Sequence, residues 1–396
     1  MEKTSILVAP SCPSPETGTG QRSLLMLDAL AKSGPVHVVL LDDYGPIDQL
    51  RSREGVASVK VLHSKLVMPK ERHKQRLLGP MRLALPSMAY RVERDLKRRF
   101  EDHIKDVGAD TVLFRYLQTF CAAGLSSRNG LDVIVDVDDR DDQKYASRLA
   151  RLFGSGAGTI PVRVILNRVG SYLKRRLGET SLVIFAAEED IWPLGNIPTL
   201  AIPNVPHDGP DTATAPLKES QVVLFVGSHS HVPNRQGVQW FIENGWPNVL
   251  KRCPDAEFRV VGVGAWSALE EQLGPRPGVT FVGRVEDLSA EYEAARVSLC
   301  PVREGGGSKI KVIEAAAYGR PVVADQHALR GYDARLAHSI AAAGSAEGMA
   351  ELVADYLQDH DKSVADGSAL RSAQEVGYSR TAVVDNISRA ISGMSS

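Results

Sequence analysis

Residues 297–325 read "VSLCPVREGGGSKIKVIEAAAYGRPVVAD". A short apolar run, 297–302, enters a glycine-rich loop. An alanine-rich helical pattern follows from about residue 308, and a second apolar run, "RPVVAD" (320–325), closes the stretch. Apolar runs without polar alternation predict strands buried on both faces, as in parallel sheets. Strand, helix and strand in this order make a βαβ unit.

The same alternation continues upstream. "VVLFVGS" (222–228), a helix near 234–251, "EFRVVGVG" (257–264) and "VTFVGRV" (279–285) precede the quoted stretch. Before them, "PNVPHDGPDTATAPLKES" (203–220) is rich in Pro, Asp and Thr and reads as a linker. The first half repeats the architecture without repeating the sequence. Its strand-like runs are 5–10, 36–42, 59–63, 111–116, 132–139 and 181–187, with helical patterns at 20–32 and 88–107. The expected organisation is α/β, with two doubly wound, Rossmann-like domains. The first spans 1–205 and the second 206–379. An amphipathic helix near 379–393 ends the chain. In such sheets ligands bind in loops at the carboxyl ends of the strands.

With 396 residues the chain exceeds one ordinary core, which also favours two domains. A formal net charge of -1 gives no global pull toward nucleic acid. Cys12, Cys121, Cys253 and Cys300 are too scattered for a metal-like pair and are expected to be reduced thiols. No signal peptide and no membrane span is expected, so the protein is placed in the cytoplasm.

Two loops are suited to phosphate. Gly18, Thr19 and Gly20 follow the first strand and lead into a helix carrying Arg22. Glycine lets backbone N–H groups approach an anion, and a helix start is electropositive. A plain glycine turn feeding a helix explains the same residues equally well, because the dinucleotide fingerprint fails at Ser23. No Walker pattern occurs either. The loop 303–307 is the stronger feature. Ser308 is expected to cap the next helix, and the amides of Ser308, Lys309 and Ile310 to face an incoming phosphate, helped by Lys309 and Lys311. Glu314 lies six residues beyond Ser308, about 9 Å along a helix axis. That matches the distance from a diphosphate to the ribose of a nucleoside, and a carboxylate accepts both hydroxyls of a diol. An i−3 ion pair with Lys311 is the plainer use of Glu314.

With these residues in view, the chain resembles the GT-B glycosyltransferases of the large retaining, nucleotide-sugar-dependent group called family four, or group one. The resemblance rests on 225–264, on 279–325 with its "K-x-x-E-A" and "G-x-P-V-V" elements, and more loosely on 181–205. It implies two domains facing across a cleft, with 380–396 crossing back to the first. It implies a hexosyltransferase-type reaction that moves a sugar from a UDP-, GDP- or ADP-sugar to a hydroxyl with retention, needing no cofactor or metal. By position, Glu314 resembles the ribose ligand. Gly307, Ser308 and Lys309 resemble the loop and helix start under the diphosphate, faced by Gly227 and Ser228 and by the first-domain turn Gly18–Gly20; Gly306 and Lys311 are candidates for the same diphosphate. Val282, Gly283 and Arg284 resemble the strand end that reads the base.

Departures from the pattern shape the candidate list. A sugar-contacting glutamate common in the group is replaced by Gly306, leaving Glu304 as the nearby carboxylate. Arg and Lys common after "FVG" are Ser228 and Pro233 here, so Arg235, Lys309 and Lys311 stand in for that charge. Where a His is common after the fourth strand, Arg115 and Tyr116 occur. Candidate catalytic groups are Asp138, Glu304 and Lys309, with Asp138 or Asp139 offered as a base from the first domain. The run "DVDDRDD" (136–142) invites a metal or acceptor reading, but capping and solvated charge explain it as well.

Basic charge collects in the first half. Residues 60–105 hold 13 Lys/Arg against 5 Asp/Glu, and 143–178 hold 8 Lys/Arg and no acid. With Val164, Leu166, Val169, Leu173 and Leu177 among them, these residues suit peripheral docking on an anionic inner leaflet. The acceptor would then be a polyprenyl-diphosphate-linked sugar or a glycolipid, in bacterial polysaccharide or glycoconjugate synthesis. A solvated basic face accounts for the charge as readily. Nucleic acid is not expected, because no aromatic platforms interleave with the charge. The competing readings are a nucleotide-sugar 2-epimerase, an inverting transferase, or a non-catalytic nucleotide-sugar-binding member of the fold.

Overall fold

A computed structural model describes residues 3–64, 90–127, 130–138, 140, 160–207, 209–210 and 213–394. The chain divides into two compact units, 1–202 with 384–396, and 203–383.

In the first unit a parallel sheet runs in the order β3-β2-β1-β4-β5-β6-β7. Its strands are β1 (Ser5–Ala9), β2 (Val36–Leu40), β3 (Val56–Val61), β4 (Thr111–Arg115), β5 (Asp132–Asp138), β6 (Leu182–Phe185) and β7 (Thr199–Ala201). Every residue of β1 and β4 is buried, as expected of central parallel strands. Phe100, Phe114 and Phe120 pack edge to face and tilted in the core beside them. The helix Arg94–Val107 stops where Gly108 turns left-handed, at φ 64°. The last helix, Arg380–Gly393, returns to this unit from residue 384, and Lys32 pairs with Asp385 on it.

In the second unit the order is β10-β9-β8-β11-β12-β13, again parallel. The strands are β8 (Val222–Val226), β9 (Glu257–Val261), β10 (Val279–Gly283), β11 (Val297–Cys300), β12 (Val322–Asp325) and β13 (Ala341–Ala343). Two doubly wound parallel sheets are the fold class expected from the sequence. The helix expected near 234–251 is two helices, Val232–Asn244 and Trp246–Arg252. Pro247 has no N–H to continue the first ladder, and Trp246 turns inward to donate from Nε1 to the Pro277 carbonyl, 2.8 Å. The short edge strands β7 and β13 were not anticipated, since "TLA" and "AAA" carry no strand signal of their own.

A buried ion cluster lies beneath the carboxyl ends of β4 and β5. Arg22, Arg115 and Asp136 are fully enclosed. Arg22 donates to Asp136 (2.7 Å) and to the Ile202 carbonyl (2.7 Å), and Arg115 also pairs with Asp136. Burial would lower the Arg115 pKa, but Asp136, Tyr116 and Asp138 reverse this and raise it. Replacing Asp136 by Ala strands two enclosed guanidiniums. Asp136→Ala is expected to destabilise the first unit by about 3–5 kcal/mol, read from the urea unfolding midpoint; a loss below about 1 kcal/mol contradicts the cluster's role.

His37 and His103 meet edge to face, at 6.2 Å between rings, with Lys60 Nζ 3.3 Å from His103 Nδ1. Burial lowers both imidazole pKa values, and Lys60 and His37 lower that of His103 further against the opposing pull of Asp106. Their folded values thus lie below the unfolded value of about 6.5. The stability they contribute is complete above that pH and is lost as pH falls through the folded values. Unfolding midpoints measured from neutral to acid pH are expected to fall, and to fall less in His103→Gln.

Candidate functional site

Strand β8 pairs with β11, while the chain leaves β8 for β9 on one side and β11 for β12 on the other. The loops at their carboxyl ends therefore diverge, which is where such sheets bind ligands. Gly227 and Ser228 follow β8, and the 301–309 loop follows β11.

Glycine is required at several of these points. A Cβ on Gly227 would sit 2.7 Å from Asn234 Nδ2, and one on Gly237 would sit 2.2 Å from the Pro301 carbonyl oxygen. Gly305 and Gly307 adopt φ of 98° and 62°. The loop is held from both sides. Lys309 Nζ folds back to the Gly306 and Gly307 carbonyls, at 2.8 and 3.1 Å, and His327 Nε2 lies 2.7 Å from the Gly305 carbonyl. Glu304 is exposed on this loop, and Arg303 covers the Trp240 ring at 4.2 Å.

The helix starts two residues later than expected, as Ile310–Ala317, and Ser308 does not cap it. Ser308 Oγ instead accepts from the Asn204 amide at 2.6 Å. The Lys309 amide, expected to face a phosphate, donates to the Tyr332 hydroxyl at 2.9 Å. Lys309 is nearly enclosed, so its charge supports the loop from below. Lys311 is placed differently. Its Nζ donates to Asn234 Oδ1 at 3.0 Å and lies 5.4 Å from the centre of the Phe225 ring, and no carboxylate pairs with it among the described residues. Burial lowers its pKa, with Cys300 and Glu314 acting in the opposite sense. Arg235 is half-buried one residue beyond Asn234 and likewise forms no ion pair among the described residues.

Glu314 is half-buried and accepts from the Tyr292 hydroxyl at 2.8 Å. The i−3 ion pair with Lys311 does not form. Tyr292 stacks on Tyr318 with centroids 4.5 Å apart, and belongs to the helix Ser289–Ala294 that follows β10. Glu314 is thus tied to the element that continues from Val282, Gly283 and Arg284. Gly283 has φ 78° and its carbonyl accepts from Gly262, while Arg284 is exposed. Sequence reasoning passed over Tyr292, Tyr332 and His327, because each acts from a separate element. Asn234 had a local signal, the "VPN" turn that opens its helix.

In the first unit, Gly18, Thr19 and Gly20 open the helix Gly18–Ala31, and Thr17 Oγ1 accepts from the Gly20 amide at 3.1 Å. Arg22 does not face this loop's solvent side; it belongs to the enclosed cluster. Arg115, which occurs where a His is common after the fourth strand, is enclosed there too. Asp138 lies 3.4 Å from Arg115 and 3.8 Å from Arg22, at φ 59°. Two guanidiniums so close make it an ion-pair partner, a poor arrangement for a base. Asp139, Asp141 and Asp142 lie outside the described residues, as do 65–89 and 141–159 of the basic regions. No group of three His, Cys, Asp or Glu suited to a metal occurs among the described residues. The helix Ile160–Leu177 corrects the docking expectation in part. Val169, Leu173 and Leu177 are buried in the core, leaving Arg168 and Arg175 exposed with Val164. No helix among the described residues is long and apolar enough to cross a membrane.

Burial raises the Glu314 pKa, and Tyr292 and then Lys311 hold the rise in check. Removing the hydroxyl with Tyr292→Phe is expected to raise it further. A carbon-13 titration of the Glu314 carboxyl by NMR reads this directly, and an unchanged midpoint contradicts the hydrogen bond.

Residues 220–359 match the family model described as glycosyl transferases group 1. A curated relative, the phosphatidyl-myo-inositol mannosyltransferase of Mycolicibacterium smegmatis, is 33% identical over 120 residues, covering 28% of this chain. The match spans only 30% of that relative's length. Across nearly whole chains the fold is similar to two solved structures. Sucrose-phosphate synthase from Thermosynechococcus elongatus has a TM-score of 0.66 at 15% identity, with 99% of both chains covered. The Anabaena protein Alr3699/HepE, solved with UDP, has a TM-score of 0.61 at 15% identity, with 99% of this chain and 100% of that one covered. The chain therefore has the two-domain GT-B fold of glycosyltransferases, and its second unit carries the group 1 glycosyl transferase match.

Proposed function

We propose that this protein is a retaining glycosyltransferase that moves a sugar from a nucleoside-diphosphate sugar to a hydroxyl acceptor. One observation carries the reading. A cation in no ion pair, Lys311, and a carboxylate, Glu314, sit one turn apart on the helix Ile310–Ala317 at the switch point of the second sheet. Glu314 in turn touches the helix that leaves β10. Diphosphate, ribose and base then find partners in that order, and the matched region 220–359 contains all of them.

In this scheme positive charge gathers on the sugar ring as the diphosphate departs. Lys311, Arg235 and the start of the helix stabilise the departing charge. Lys309 keeps the glycine loop in shape, and Glu304, exposed on that loop, is the carboxylate offered to the sugar. No metal is needed for that division of labour. The name of the mycobacterial relative, a mannosyltransferase acting on a phosphatidylinositol, and the exposed Arg168 and Arg175 support a lipid-linked or glycan acceptor reached at an anionic inner-leaflet surface. UDP, present in the Anabaena complex, is the first nucleotide to test, before GDP and ADP.

A thermal-shift panel of UDP-, GDP- and ADP-sugars is expected to single out one nucleotide, with about 2.7 kcal/mol of stabilisation at 100 times its dissociation constant. With that donor, Glu314→Ala is expected to lower transfer by about tenfold or more, mostly through weaker donor binding, for loss of charge-assisted hydrogen bonds. Undiminished donor affinity in Glu314→Ala would rule out the ribose assignment.

A further inference from the structure

Asn234 is 4% exposed and uses both ends of its amide. Its Nδ2 donates to the Ser228 carbonyl at 3.0 Å, and its Oδ1 accepts from Lys311 Nζ at 3.0 Å. One side chain thereby joins the loop after β8 to the helix after β11. The two roles fix the amide's orientation, because a carbonyl needs a donor and an ammonium an acceptor. Gly227 is shaped around it, with room for no Cβ on the face toward Nδ2.

The choice of an amide has a chemical consequence. An Asp here would face Lys311 with a carboxylate that neutralises it, and would lose the donor to the Ser228 carbonyl. An aliphatic residue would leave a flexible four-carbon chain free to choose among rotamers. Asn supplies an acceptor without charge, so Lys311 is fixed in place with its positive charge unspent. The Phe225 ring below Nζ adds a second uncharged support.

We propose that Asn234 is a positioning residue that aims Lys311 at the diphosphate of the donor while leaving its charge unpaired. This rests on the reading of the site under Proposed function.

The test is a calorimetric titration of UDP, GDP and ADP into the full-length protein and four variants: Asn234→Ala, Asn234→Asp, Lys311→Ala and the double variant Asn234→Ala/Lys311→Ala. For the diphosphate that the wild type binds, Asn234→Ala and Lys311→Ala are each expected to lose about tenfold in affinity, the size of one charge-assisted contact. The double variant is expected to lose no more than the larger single loss, because both substitutions remove the same cation from the site. A purely structural role for Asn234 gives multiplied losses instead, and that result overturns the proposal. Asn234→Asp keeps the size of the side chain and the contact with Lys311 but gives up the donor to the Ser228 carbonyl, so the melting temperature of every variant is read beside its affinity. Asn234→Asp is expected to melt below the wild type, for the hydrogen bond lost at Ser228, and to lose about tenfold or more in affinity, its added charge opposing the diphosphate. Binding by Asn234→Asp as tight as wild type also overturns the proposal. A wild type that binds none of the three diphosphates is a different failure: it removes the nucleotide reading of the site itself.

Discussion

The pairing of β8 with β11 is the constraint from which the candidate site follows. The chain builds outward from β8 in one direction and from β11 in the other. The loops leaving these neighbours head in opposite directions, which in such sheets leaves a crevice at the strand ends. Close packing then dictates composition. Gly237 lets its helix approach the end of β11 at Pro301, and Gly227 makes space for Asn234. The residues nearest the crevice are those for which the backbone leaves no alternative.

The first sheet has the corresponding switch point, between β1 and β4, and resolves it with opposite electrostatics. There Arg22 and Arg115 are matched by Asp136 and Asp138, so two enclosed cations are neutralised within the fold. Tyr116 and Asp138 take positive φ at neighbouring strand ends, a conformation costing on the order of 1–3 kcal/mol each, and the ion cluster beneath holds them there. At the second switch point the cation is held by a neutral amide and an aromatic ring. Burying a charge without an ion-pair partner is costly, and the amide and the ring offset that cost only in part. The two halves share a topology, and the presence or absence of a carboxylate opposite the cation separates their chemistry.

Several local features were legible because they depend on neighbours in sequence. The apolar runs 5–10, 111–116, 222–228 and 297–302 contain the buried central strands of both sheets. Gly305 and Gly307 do adopt the left-handed backbone that a glycine-rich loop invites. Glu314 does lie on the helix after β11, although that helix starts at Ile310 and not at Ser308. Local reasoning failed where a distant group competes. Ser308 is a good cap by type, yet Asn204 claims its hydroxyl, and Tyr332 claims the Lys309 amide. The apolar side of the basic helix Ile160–Leu177 looked free for a membrane, but Val169, Leu173 and Leu177 complete the core of the first unit.

The sequence by itself determined the two sheets, the glycine loop and the residue types that border it, because strand burial, turn conformation and helical spacing are set within a few residues. Only the tertiary structure decided which charges remain available. Arg22, Arg115 and Lys309 are drawn inward by partners remote in sequence or by the loop's own carbonyls, whereas Lys311 faces an amide 77 residues away. A side chain's charge is written in its formula. Whether that charge is cancelled depends on what the fold brings within about 4 Å of it.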